Sequence, residues 1–280
     1  MYTAIIQGPK LSPQHAEEIA NELQGVLKTD NGFEIALTNA AEKTQLRELG
    51  QRYRCDINVL PNNFARDQVK LIISDMDSTL IAIECIDEIA DFIGAKPQVA
   101  TITESAMRGE IDFSESLKRR VGLLEGLPVD ALEKVYEQRL RLNPGAEALI
   151  ATAQANHIHT ALVSGGFTFF TNKLQQRLGL DSVLANQLEI ENGKLTGQVL
   201  GDIVDGDVKL KFLNQLIDDL GITAGQTVAL GDGANDLKML NGSGLGVAYH
   251  AKPKVQDQAD CCINHNGLDA VLGLLNLPSQ

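Results

Sequence analysis

The stretch Val69-Lys70-Leu71-Ile72-Ile73-Ser74-Asp75-Met76-Asp77-Ser78-Thr79 decides the fold. A short β-branched run that stops at a carboxylate is the pattern of a strand buried on both faces, as in a parallel sheet. The same form returns at Thr160–Val163, Thr227–Leu230 and Leu245–Ala248, with helical patterns such as Phe169–Leu178 and Val208–Leu220 between. Strands alternating with helices predict an α/β class protein with a doubly wound parallel sheet. Cys261-Cys262-Ile263 reads as a further short strand, and Asn192-Gly193 within Leu188–Val199 as a hairpin turn.

Working outward, residues from about 84 to 142 carry no strand signal. They show helical patterns at Ile86–Phe92, Gln98–Met107, Ser114–Leu124 and Ala131–Leu140, broken at Gly94, Gly109 and Gly126-Leu127-Pro128. A helical insert directly after the first parallel strand would form a cap over that strand's carboxyl end, where open α/β sheets bind ligands. On the other side, residues 1–65 read as a separate small α/β unit and residues 66–280 as the main domain. The small unit shows strands at Tyr2–Gly8, Phe33–Thr38 and Asp56–Leu60, helices at Gln14–Leu27 and Lys43–Tyr53, and a boundary turn at Pro61-Asn62-Asn63. It resembles the small regulatory amino-acid-binding (ACT-type) modules, with one strand of their usual pattern missing, and it contains no catalytic cluster.

Composition narrows the function. The 280 residues carry 24 Lys+Arg against 37 Asp+Glu, a net charge of −13, which disfavours a general nucleic-acid role. No apolar run approaches the roughly 20 residues a spanning helix needs. The first residues lack the basic and apolar regions of a secretory signal, so a soluble, cytoplasmic chain is expected. Four scattered cysteines and five dispersed histidines offer neither a disulfide framework nor zinc-ligand spacing.

Carboxylates at strand ends carry the chemistry. Two Asp-x-Asp pairs occur, Asp75/Asp77 and Asp205/Asp207, about what chance gives in this composition. The first pair stands out because a buried strand precedes it and Ser78-Thr79 follows. Adjacent carboxylates at such a place need a cation or a proton to compensate them. Gly231-Asp232-Gly233-Ala234-Asn235-Asp236 brings two more to the end of Thr227–Leu230. Hard oxygen ligands in this number suit magnesium, although a calcium loop or a plain Asp-Gly turn would read alike. After Ala161-Leu162-Val163, Ser164-Gly165-Gly166 offers a hydroxyl and successive amides as an anion cradle, or an ordinary loop. Lys209, near a helix start, can supply a point charge to the same anion.

Together, Asp75–Thr79, Ser164-Gly165-Gly166, Lys209 and Gly231–Asp236 resemble the four motifs of the haloacid dehalogenase-like phosphohydrolases, across most of residues 69–265. Within that superfamily, Glu84–Ala90, Ala106–Phe113 and Ser116–Val121 are similar to the cap of the phosphoserine phosphatases. The resemblance implies Asp75 as nucleophile and Asp77 as general acid/base. It implies Mg2+ held by the Asp75 carboxylate, the Asp77 main-chain carbonyl and Asp232, with Asp236 anchoring the metal waters. Ser164, Gly165 and Lys209 would hold the phosphoryl oxygens, and Asn235 would contact substrate. In the cap, Glu84 would meet the substrate ammonium and Arg120 its carboxylate, with Met107 and Phe113 as an apolar wall. The implied activity is magnesium-dependent hydrolysis of O-phospho-L-serine through an aspartyl-phosphate, the last step of L-serine biosynthesis. A small-molecule substrate, no nucleic-acid or membrane partner and a possible homodimer complete the expectation. A phosphotransferase on the same scaffold, or an amino-acid sensor built on the small unit, are the alternatives.

Overall fold

The computed structural model describes residues 2–29 and 32–278, apart from the side chain of Met107. The small unit runs β1 (Tyr2–Gln7), α1 (Pro13–Glu22), β2 (Val26–Lys28), β3 (Phe33–Leu37), α2 (Lys43–Tyr53) and β4 (Asp56–Val59). Its antiparallel sheet has the order β2-β3-β1-β4, the split βαβ arrangement of ferredoxin-like folds. The strand expected to be missing is therefore present. β2 occupies residues that the sequence pattern assigned to the end of the first helix. Ser12 starts α1 by accepting from the His15 N–H, and the helix stops before Gln24, whose φ of 53° no helix continues through.

The main domain opens with β5 (Leu71–Ser74) and passes at once into the helical insert: α3 (Cys85–Asp91), α4 (Lys96–Met107), α5 (Phe113–Gly122) and α6 (Asp130–Gln138). The chain leaves and re-enters through one ladder. The Ala82 N–H donates to the Arg141 carbonyl at 2.8 Å, and the Asn143 N–H to the Leu80 carbonyl at 3.0 Å. Then follow α7 (Ala146–Ala155), β6 (His159–Phe167), α8 (Thr168–Leu178), β7 (Ser182–Glu191), β8 (Lys194–Leu200), α9 (Gly206–Leu220) and β9 (Thr227–Gly231). The chain ends with α10 (Leu237–Gly242), β10 (Leu245–Tyr249), α11 (Pro253–Gln258), β11 (Cys261–Ile263) and α12 (Ala270–Leu274).

The large sheet has the order β11-β10-β9-β5-β6-β7-β8, parallel except for β8. Alternation within each strand fills both faces. Ile72, Leu162 and Val228 enter one core, whereas Leu71, Ile73, Ala161, Val163 and Ala229 enter the other with Leu213 and Leu216 of α9. Each such Ile or Leu contributes about 1.5–3 kcal/mol on burial. This is why the strands read as unbroken apolar runs. Asn192 and Gly193 both have positive φ, as a two-residue hairpin turn requires. The hairpin also buttresses the cap, since the Gly126 N–H donates to the Leu195 carbonyl at 2.8 Å.

The two sheets meet through polar side chains that replace strand pairing. The Asn58 amide donates to the Cys262 carbonyl (3.0 Å) and accepts from the Cys262 N–H (2.7 Å), capping the edge strand β11. Asp56, 3% exposed, accepts from the N–H groups of Asn264 (2.7 Å) and His265 (3.1 Å) and from Asn266 Nδ2 (2.6 Å).

Candidate active site

β5 lies mid-sheet with β6 on one side and β9 on the other, so the chain's direction of travel reverses there. At such a switch point the strand ends diverge and leave a crevice. The carboxyl ends of these strands carry Asp75, Ser164 and Asp232, and the cap closes over them. The result is a cavity of about 810 Å³. Asp75, Asp77, Ser164, Gly165, Asp232 and Asn235 line its floor, and Glu84, Phe113 and Arg120 line its roof.

Lys209 is fully buried at the start of α9, and its Nζ stands 2.6 Å from both Asp75 Oδ1 and Asp236 Oδ1. Burial opposes its charge, but Asp236 and Asp75 outweigh that and hold the ammonium above its usual pKa. Asp236 is saturated, because its Oδ2 accepts the N–H groups of Asp232 (3.2 Å) and Gly233 (2.9 Å). Asp75 is 5% exposed; burial and the neighbouring Asp236 push its carboxyl well up, against the pull of Lys209. Burial, then Asp236 and Glu84, push Asp232 up to about 7. One carboxylate oxygen from each of Asp75, Asp232 and Asp236 falls within a 4.8 Å group. Three buried or half-buried hard donors with one ammonium between them fit a divalent cation, which would relieve the remaining repulsion. Asp236 already has both oxygens engaged, which suits it to an outer position, and Asp75 and Asp232 are the side chains free to bind.

Asp77 takes a different environment two residues on. Its Oδ1 accepts from the Cys85 N–H at the first turn of α3 (3.0 Å), tying the floor to the cap. Burial, then the charge of Glu84, push it up to about 7, the range in which one carboxyl can donate and accept protons. Gly166 makes room for it: a Cβ there would stand 2.7 Å from Asp77 Oδ2.

The Ser-Gly-Gly segment continues β6 to Phe167, with α8 starting only at Thr168. Its ladder with β7 is irregular between Val163 and Phe167, which turns these residues toward the cavity. Ser164 Oγ accepts from the Gly166 N–H at 2.8 Å, so that amide serves the loop, and the Ser164 hydroxyl and Gly165 remain to meet an anion. At Gly165 any side chain would meet the Phe113 ring, whose Cζ lies 2.7 Å from a Cβ position. The cap rests on the cradle at this point.

On the roof, the adjacent basic residues Lys118, Arg119 and Arg120 take different places. Lys118 and Arg119 are exposed, with Arg119 paired to Glu115 (2.6 Å), whereas Arg120 is half-buried and lines the cavity. Burial pulls its guanidinium down, and Asp87 and Glu84 oppose this. Glu84 accepts from Ser78 Oγ at 2.6 Å, and burial raises its carboxyl. Met107 ends α4, and its side chain lies outside the described residues.

Several residues at the site were given no role there from sequence. Thr79, fully buried, points Oγ1 at Asp232 Oδ1 (3.4 Å). Asn186, on β7, donates to the Gly165 carbonyl and accepts from the Val204 N–H, both at 2.8 Å, and so clamps the cradle. Asp87 and Lys252 line the cavity. So do Asp205 and Asp207, the second Asp-x-Asp pair, but Asp205 caps α9 and Asp207 pairs with Lys238 at 2.6 Å. No spacing signal marks Asn186 or Lys252, which chain folding alone brings to the site.

A family model for haloacid dehalogenase-like hydrolases matches residues 72–241. The chain is 51% identical over 224 residues to a phosphoserine phosphatase of Polaromonas sp. (strain JS666), covering 78% of this chain and 95% of that protein. Among solved structures, a probable phosphoserine phosphatase from Vibrio cholerae, in unliganded form, superposes with a TM-score of 0.83 at 38% identity, covering 98% of this chain and 86% of that one. A phospho-aspartyl intermediate analogue of phosphoserine phosphatase superposes with a TM-score of 0.69 at 41% identity, over 74% of this chain and 98% of that one.

Proposed function

Because the chain belongs to the haloacid dehalogenase-like hydrolases and, within them, to the phosphoserine phosphatases, we propose that it hydrolyses O-phospho-L-serine to L-serine and phosphate through an aspartyl-phosphate on Asp75. The observation that carries this is the Lys209 bridge between Asp75 and Asp236, set beneath a cap that turns Glu84 and Arg120 toward it.

Lys209 holds Asp75 Oδ1, so Oδ2 is the oxygen that attacks phosphorus, with its approach fixed by that single contact. Asp77 delivers a proton to the departing seryl oxygen, and the same carboxylate then takes a proton from the water that opens the acyl-phosphate. Its raised pKa supports both roles. The Ser164 hydroxyl, the Gly165 N–H and Lys209 stabilise the equatorial phosphoryl oxygens. Asn235 contacts the substrate, and Asp236 keeps Lys209 and the Asp232 loop in place. A divalent cation, magnesium in this reading, would be held by Asp75, Asp232 and the Asp77 carbonyl and would supply charge neutralisation for the phosphoryl group. In the roof, Arg120 grips the substrate carboxylate, Glu84 meets its ammonium, and Phe113 shields the site from water.

Residues 1–65 act as a separate unit beside the phosphatase domain of residues 66–280, whose cap spans about 84–142. The expected setting is cytoplasmic; among the described residues no helix is long and apolar enough to cross a membrane. The test is phosphate release from phosphoserine, phosphothreonine and an aryl phosphate, each with magnesium and with chelator. Preferred, magnesium-dependent turnover of phosphoserine is expected, and indifference to the amino-acid part would refute the assignment.

A further inference from the structure

Four buried side-chain atoms have no hydrogen-bond partner among the described residues: Gln7 Oε1, His15 Nδ1, Ser116 Oγ and Thr152 Oγ1. Of these, Ser116 alone lines the active-site cavity, although the residue is only 1% exposed. A buried hydroxyl without a partner forfeits its hydration, so a persistent one points to a partner that arrives from outside the fold.

Its position says which partner. Ser116 lies on α5 one helical turn before Arg120, and Arg120 Nε donates to the Ser116 carbonyl at 3.3 Å. Helical side chains lean toward the N-terminus, so the guanidinium lies back over the turn that holds Ser116. Phe113 and Leu117 complete the same patch of wall. An anion gripped by Arg120 therefore falls within reach of the hydroxyl, and beside a guanidinium that hydroxyl turns its proton toward the anion.

We propose that Ser116 is a specificity-determining residue whose hydroxyl donates a hydrogen bond to the substrate carboxylate paired with Arg120. The proposal rests on the amino-acid phosphate reading above and adds to it a second, neutral donor. A second donor on the same helix face anchors the carboxylate from another direction, so its orientation does not rest on the arginine alone.

The test compares Ser116→Ala with the parent enzyme on phosphoserine and on O-phosphoethanolamine, which keeps the phosphate and ammonium but lacks the carboxylate. Melting temperature is read with and without L-serine. Alanine suits the helix interior and removes an unpartnered group, so the free variant should melt no lower than the parent. The kcat/KM for phosphoserine should fall about 10- to 100-fold, the size of one hydrogen bond to a charged group, mostly through KM. Turnover of phosphoethanolamine should hold within about twofold, and the melting shift given by L-serine should shrink. Equal losses on both substrates, or none on either, would overturn the proposal; the latter would mean that the Asp112 carbonyl or water satisfies the hydroxyl. A parent enzyme with no preference for phosphoserine would overturn the amino-acid reading itself. A preference that survives intact in Ser116→Ala would overturn this proposal alone.

Discussion

On the floor of the cavity Lys209 touches Asp75 and Asp236 at 2.6 Å each, and Asp236 engages both its oxygens. On the roof Arg120 has one 3.3 Å bond to its own helix, and the Ser116 hydroxyl has none. In the proposed reaction the two regions face one ligand and divide the labour. Groups that do chemistry are locked by the fold in advance, since misplacement there costs rate directly. Groups that read the substrate keep spare hydrogen-bonding capacity, which the right ligand fills and a wrong one leaves empty.

The largest effect should come from the floor. Asp75→Asn replaces the proposed nucleophile with a nearly isosteric amide, so turnover should drop by about 10⁴-fold or more. Mass spectrometry should find no phosphoryl group on the variant. Wild-type-like rates would remove Asp75 from the chemistry.

Lys209→Met sharpens the contrast. It strands two buried carboxylates, so activity and stability should fall together, the latter by about 3–5 kcal/mol in denaturant unfolding. Arg120→Ala breaks no such pair. It should lower kcat/KM for phosphoserine by 2–5 kcal/mol, roughly 30-fold to several thousand-fold, with the melting temperature nearly unchanged. The loss should be far smaller on a phosphomonoester without a carboxylate. If both variants lose stability alike, the division between floor and roof is wrong.

A smaller effect tests where the two regions touch. Gly165→Ala puts a methyl against the Phe113 ring, which must shift and prop the cap. About a tenfold loss in kcat/KM is expected, with recovery in the double variant that also shortens Phe113 to Leu. Smallest for activity is Asp56→Ala, far from the cavity. It unpairs three half-buried donors and should cost about 1–3 kcal/mol of stability, a few degrees in melting temperature, with kcat unmoved.

Sequence reading reached the floor because its residues sit at strand ends, where an apolar run stops at a carboxylate or glycine and can be seen locally. Lys209 and Asp236 could be named, but their mutual 2.6 Å geometry with Asp75 joins positions 134 and 27 residues apart. Asn186 escaped because a lone Asn in a strand has no pattern to announce it, and Thr79 was visible only as the end of the Asp75–Thr79 motif, without its contact to Asp232. β2 escaped for a different reason. Leu23, Val26 and Leu27 continue the helical apolar spacing of α1, and only the backbone turn at Gln24 ends it. A three-residue edge strand offers too little alternation to compete.

The side-chain clamp of Asp56 and Asn58 on residues 262–266 spans more than 200 positions of chain. During synthesis these two residues are made long before their partners in 262–266, and until those partners arrive they stay hydrated at the surface of the small sheet. Closing that contact then carries the loop entropy of most of the molecule, so docking falls late in assembly, after the parallel sheet has brought β11 into place. Until then the last strand keeps a bare edge, and crowded or slowed folding would expose it to pairing with another chain.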